Sequence, residues 1–192
     1  MTAPSFSSLD QAELIQLALD ATRNGDAGSA LTYLKEAVAR PDATSIAHFL
    51  LGAEYAQLRM YDRALPEMEA AVALDPSMGI ARFQLGLLLL SSGDAVRASE
   101  ALQPLCELGA ENALSHFGQG LIHLMRDEFD QTIQCLARGM ELNTENAALN
   151  ADMQKIIDRV KAVSPSTGTQ SDKEEADSQH ILLSAYTGKT SH

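Results

Sequence analysis

The sequence predicts an all-α protein, an α-solenoid of four tandem helix-turn-helix repeats closed by a C-terminal capping helix. Two interleaved series of residues carry that prediction. Small residues recur every 34 positions as Ala18, Gly52, Gly86 and Gly120, and again as Ala30, Ala64, Ala98 and Thr132. Large apolar residues keep the same interval, in Leu17, Leu51 and Leu85 and in Leu34, Met68, Leu102 and Leu136. A fixed period of this length is the signature of stacked supersecondary units. The composition agrees: hydrophobic residues make up 45% of the chain, aromatics only 5%, and there is no Trp.

Each unit reads as two helices that cross where the small residues lie, since only Gly, Ala or a similarly small side chain lets backbones approach closely. Residues 1–10 form an N-terminal lead, and the units span 11–44, 45–78, 79–112 and 113–146. In the second unit the pattern predicts helix A from about Ser45 to Leu58 and helix B from Arg63 to Leu74, with Asp62 as the N-cap of B. Gly25-Asp26 and Gly93-Asp94 supply a stop followed by a restart in the first and third units. Tyr61 and Phe129 hold equivalent sites just before helix B. Pro66 falls in the first turn of its helix, where a missing N–H costs little. Pro104 lies well inside helix B of the third unit and is expected to kink or break it.

A repeat array exposes an apolar face at its end unless a helix with a polar outer side covers it. Residues 147–163 fit that role. Leu149, Met153, Ile156, Ile157 and Val160 recur at helical spacing, with Asp152, Lys155, Asp158, Arg159 and Lys161 on the other side. From residue 164 the composition turns to Ser, Thr, Gly and acidic residues, and 164–192 is expected to be a largely disordered tail. Within it lies an apolar segment at 181–186, containing Ile181, Leu182, Leu183 and Tyr186.

The second unit resembles the tetratricopeptide repeat family in Leu51-Gly52, Tyr55, Ala64, Met68, Ala71 and Pro76, with His48 where that family usually has Trp. The first unit keeps Leu17, Ala18, Ala30, Leu34 and Ala37 but has Ala21 where Tyr is expected, and the third lacks the terminal Pro. The fourth departs furthest, with Gln119, His123, Thr132 and Gly139 at signature sites. The resemblance covers about residues 11–146. It implies an interaction scaffold rather than an enzyme, with partners lying along a concave surface formed by the A helices.

Charge and chemistry narrow the function further. The formal net charge is −12, without a basic cluster, which argues against nucleic acid and against anionic membrane surfaces. No apolar run approaches the roughly 20 residues that span a bilayer, and the N-terminus lacks a signal-peptide pattern, so a cytoplasmic location is expected. Cys106 and Cys135 form no CxxC pair and read as buried, reduced thiols. Gly188-Lys189-Thr190 echoes a phosphate loop, but the first glycine of that motif would be residue 183, which is leucine. His116 and His123 stand seven apart, whereas zinc sites on helices favour a spacing of four; they read as packing residues. No catalytic constellation, cofactor site or metal site is expected.

By the register of the resemblance, the groove sites are Ile46, Phe49, Ile80, Phe83, Leu87, Leu90, Leu114, Phe117, Leu121 and Leu124. The same stripe would also suit packing between helices. Family members that grip a partner's C-terminal carboxylate use Lys, Asn and Arg in the groove, and here Ile15, Leu19, Leu50, Ile80 and Gln84 stand there instead. The groove is therefore expected to take an apolar or amphipathic peptide of a partner protein. The tail segment, with Ile181, Leu182, Leu183 and Tyr186, is a candidate occupant within the same chain. The leading expectation is a scaffold, adaptor or assembly factor. A chaperone shielding a client segment is the alternative, as in some bacterial secretion-system proteins of this repeat type. A self-associating structural subunit is a further one.

Overall fold

The computed structural model describes residue 6 and residues 8–163. The tail 164–192, with its segment at 181–186 and the Gly188-Lys189-Thr190 triplet, lies outside the described residues. Among the described residues there are α-helices, one 3-10 segment and no strand. In chain order they are α1 (Gln11–Arg23), α2 (Ala27–Val38), α3 (Ser45–Gln57), α4 (Tyr61–Leu74), α5 (Gly79–Ser91), α6 (Ala95–Leu102), the 3-10 segment Gln103–Leu108, α7 (Ala113–Leu124), α8 (Phe129–Leu142) and α9 (Ala147–Val163). They form two compact units, Met1–Leu85 and Gly86–His192.

One turn joins helix A to helix B in all four repeats. The N–H groups of Asp26, Met60, Asp94 and Glu128 donate to the carbonyls of Ala21, Tyr55, Leu89 and His123, five residues back, at 2.9, 2.8, 3.0 and 3.0 Å. This closure needs a left-handed residue just before it. Gly25 (φ 73°) and Gly93 (φ 84°) supply it without strain, whereas Arg59 and Asp127 do so at φ 58°. An L side chain in that region costs about 1–2 kcal/mol, part of which glycine returns as unfolded-chain entropy. Arg59→Gly is therefore expected to raise the urea midpoint, by a net gain of about 0.5–1 kcal/mol. A drop would show that the arginine side chain is worth more than the strain.

That turn corrects the expected start of α4. The helix begins at Tyr61, its N-cap is Met60 with no side-chain bond, and Asp62 is already helical. Tyr61 and Phe129 accordingly open α4 and α8 rather than precede them. Pro66 then stands in the helix interior, on an exposed face, and the Asp62 carbonyl lacks the N–H that would meet it. Where a glycine makes the turn, the aspartate after it does cap: Asp26 accepts from the N–H of Ser29 at 3.0 Å, and Asp94 from Arg97 at 3.1 Å.

The two residue series meet inside each repeat. A Cβ on Gly52 would lie 3.1 Å from Met68, one on Gly86 2.5 Å from Leu102, and one on Gly120 2.6 Å from Leu136. Ala64, Met68, Ala98, Leu102 and Leu136 are buried to within 1% of complete. Small residues on helix A thus leave the space that a large residue of helix B fills.

Both ends of the described chain carry a cover. At the start, Phe6 meets Tyr33 edge-on at 5.5 Å between ring centroids, and Phe6 and Leu9 pack on the cluster of Leu14, Ala37 and Ala47. The Arg40 guanidinium donates to the carbonyls of Leu9 (2.5 Å) and Phe6 (2.8 Å) and holds the lead against α2. Asp10 and Glu13 form a capping box that starts α1. At the other end, Leu149, Met153, Ile156, Ile157 and Val160 of α9 are all buried, while Asp152, Lys155, Asp158, Arg159 and Lys161 are exposed. The Asn150 side-chain amide donates to the Met140 and Asn143 carbonyls and ties α9 to the end of α8.

Pro104 breaks its helix as expected. α6 stops at Leu102, the chain continues as a 3-10 segment, and Gly109 (φ 94°) ends it. Proline has no N–H for the Glu100 carbonyl, and its ring crowds that carbonyl.

Candidate functional site

The residues expected along the groove divide sharply by exposure. In the compact unit Met1–Leu85, Ile46 is 49% exposed in the first turn of α3, and Phe49 one turn on and Ile80 at the start of α5 are half-buried. In the compact unit that begins at Gly86, Leu114 and Leu124 at the two ends of α7 are half-buried. The other five are core. Phe83, Phe117 and Leu121 have no exposed surface, and Leu87 and Leu90 keep only 8% and 7%. They cannot meet a partner as the chain stands, which corrects the expectation of a phenylalanine-lined groove.

The reason is visible at Phe117. A Cβ on Gly139 would lie 2.5 Å from two of its ring carbons, so the ring occupies the room that α8 leaves by carrying glycine there. Gly139 departs from the repeat pattern in the sequence, and its absent side chain was the available sign that a large group lies opposite. Gly118 and Gly120 make similar room on α7, facing Leu105 and Leu136.

Electrostatically, the A helices offer little to an anionic partner. Neither α3 nor α7 contains Lys or Arg. Arg23 at the end of α1 pairs with Asp20 at 3.0 Å, and Arg82 of α5 donates to the Pro76 carbonyl at 2.8 Å. Glu54 of α3 is 6% exposed and accepts a hydrogen bond from the Thr22 hydroxyl at 2.5 Å.

The three histidines among the described residues pack with a ring nitrogen satisfied. His48 Nδ1 meets Glu67 at 2.7 Å, His116 Nε2 meets the Ala110 carbonyl at 2.8 Å, and His123 Nδ1 pairs with Glu128. Among the described residues no three His, Cys, Asp or Glu side chains converge as metal ligands would. Cys106 and Cys135 are free thiols but only half-buried, a correction to the expectation of burial. Burial nevertheless pushes both thiols above their ordinary pKa, which lowers the reactive thiolate fraction at neutral pH. No helix among the described residues is long and apolar enough to cross a membrane.

Tandem helix pairs with a shared turn, covered ends and half-exposed apolar residues on the A helices define a protein-interaction scaffold built from repeats. A tetratricopeptide repeat profile matches residues 15–78 and 53–113, and the chain belongs to that family. No curated protein sequence matches it. Solved structures share the fold at low identity. MamA from Desulfovibrio magneticus RS-1 superposes with a TM-score of 0.57 at 18% identity, over 82% of this chain and 98% of its own. YrrB, described as a tetratricopeptide repeat protein with an unusual peptide-binding site, gives 0.58 at 17% identity, over 76% and 74%. A tetratricopeptide repeat protein from Parabacteroides merdae gives 0.62 at 17% identity, over 93% and 72%.

Proposed function

We propose that this chain is an adaptor or assembly factor that binds an apolar or amphipathic segment of a partner protein on its A helices. The observation that carries the reading is the exposure of Ile46, with Phe49 and Ile80 half-open in the same unit and Leu114 and Leu124 half-open in the other. Side chains of this kind gain about 1.5–3 kcal/mol each when fully buried, so two or three half-open ones offer a partner a useful contact. The absence of Lys and Arg from α3 and α7 supports an apolar rather than a carboxylate-gripping mode. YrrB, a structural neighbour described by its peptide-binding site, adds an analogy at the level of fold. The end-to-end structural subunit is disfavoured, because Phe6 with Leu9 and the buried face of α9 cover the repeats at either end.

Affinity capture from the source cells tests this. The double variant Ile46→Asp, Ile80→Asp alters residues that are not fully buried, so its melting curve should stay close to that of the wild type while the captured protein is lost. Capture that survives both substitutions would contradict the proposal.

A further inference from the structure

Helix B of the third repeat is shorter than its counterparts, and a cleft opens beside it. In the first repeat helix B runs unbroken for 12 residues, from Ala27 to Val38; in the third it stops after 8, at Leu102. From Gln103 the chain continues as the 3-10 segment, where Leu105 packs against Gly118 of α7. The first turns of α6 and the end of α7 are left with a cavity of about 420 Å³ between them. Ala95, Val96 and Ser99 line it from α6, Ile122 and Met125 from the α7 side, and Glu100 and Arg126 add one charge of each sign. Val96 is 72% exposed, more than any other large apolar residue of the described chain.

We propose that the C-terminal segment Ile181–Tyr186 docks in this cleft within the same chain. Three features select that occupant. The first is reach: α9 ends at Val163 in the same unit as the cleft, and residues 164–180 can span at most about 55–60 Å. A compact unit the size of residues 86–163 is only about 30 Å across, so every point on it is accessible to the segment. The second is chemistry. Ile181, Leu182, Leu183 and Tyr186 form the apolar run of the residues beyond α9, and Ala95, Val96, Ile122 and Met125 give the cleft a largely apolar lining. The third is charge: Asp172, Glu174, Glu175 and Asp177 precede the run and Lys189 follows it, matching a cleft that offers Arg126 and Glu100. Tethering supplies an effective concentration of order millimolar, so a segment with an intrinsic dissociation constant of about 0.1 mM is bound in roughly nine molecules of ten.

Hydrogen exchange on the full chain, followed by mass spectrometry, tests the proposal. Amides of residues 182–186 should exchange about tenfold more slowly than in a free peptide of that sequence, independently of protein concentration. Val96→Glu, at an exposed position, should abolish that protection and leave α8 and α9 unchanged. The variant Ile181→Ser, Leu182→Ser, Leu183→Ser should increase fluorescence of an apolar dye, because the emptied cleft becomes available to it. Free-peptide exchange in the wild type, or protection that survives Val96→Glu, overturns the proposal. Protection that grows with concentration overturns it too, and assigns the cleft to a second copy of the chain.

Discussion

Phe117→Ala is expected to lower the unfolding free energy by about 3–5 kcal/mol, the cost of emptying a fully buried phenylalanine site. The ring has no exposed surface, and its neighbour at Gly139 has no side chain with which to refill the space. The cavity would therefore stay open, which puts the cost toward the upper end of that range. Urea unfolding followed by circular dichroism measures it. A loss below about 1 kcal/mol would return the ring to the surface and restore Phe117 as a binding residue. Substituting Phe117 in a binding experiment thus reports on folding, whereas substituting the exposed Ile46 tests the proposed contact.

Ending the chain after Asn146 is expected to be equally damaging, through a different route. The α9 face of Leu149, Met153, Ile156, Ile157 and Val160 is buried, and removing it uncovers the apolar surface beneath. Five such side chains correspond to an upper bound of about 8–15 kcal/mol of gross burial, offset largely by the entropy of ordering the helix. What remains is an apolar patch of the kind that drives association. Light scattering should then find species heavier than the monomer, with a broadened melt. A monodisperse truncated chain with the wild-type melting curve would show that α9 is not a cap.

Much of this fold was legible in the sequence because its physics is local and periodic. The crossing of Gly52 over Met68 and of Gly120 over Leu136 lies at a constant separation in each unit, so the 34-residue ruler exposes it. Pro104 ends its helix by a covalent constraint that no packing overrides. The starts of α4 and α8 were less legible, because Arg59 and Asp127 adopt the left-handed turn that glycine announces elsewhere. The clamp of Arg40 on the carbonyls of Phe6 and Leu9 leaves no periodic trace either. At the candidate site, residue type and register marked the A-helix stripe correctly as apolar. They did not separate Ile46 from Phe117, because that depends on a glycine on another helix.

On the proposed reading, apolar A-helix residues, and no charged clamp, recognise the partner. Calorimetric titration of the captured partner segment, at several temperatures and two salt concentrations, tests it most directly. A negative heat-capacity change, little dependence on salt, and at least tenfold weaker binding to the Ile46→Asp, Ile80→Asp variant are expected. Binding that falls steeply with salt, shows no heat-capacity change and is the same for both proteins would contradict it.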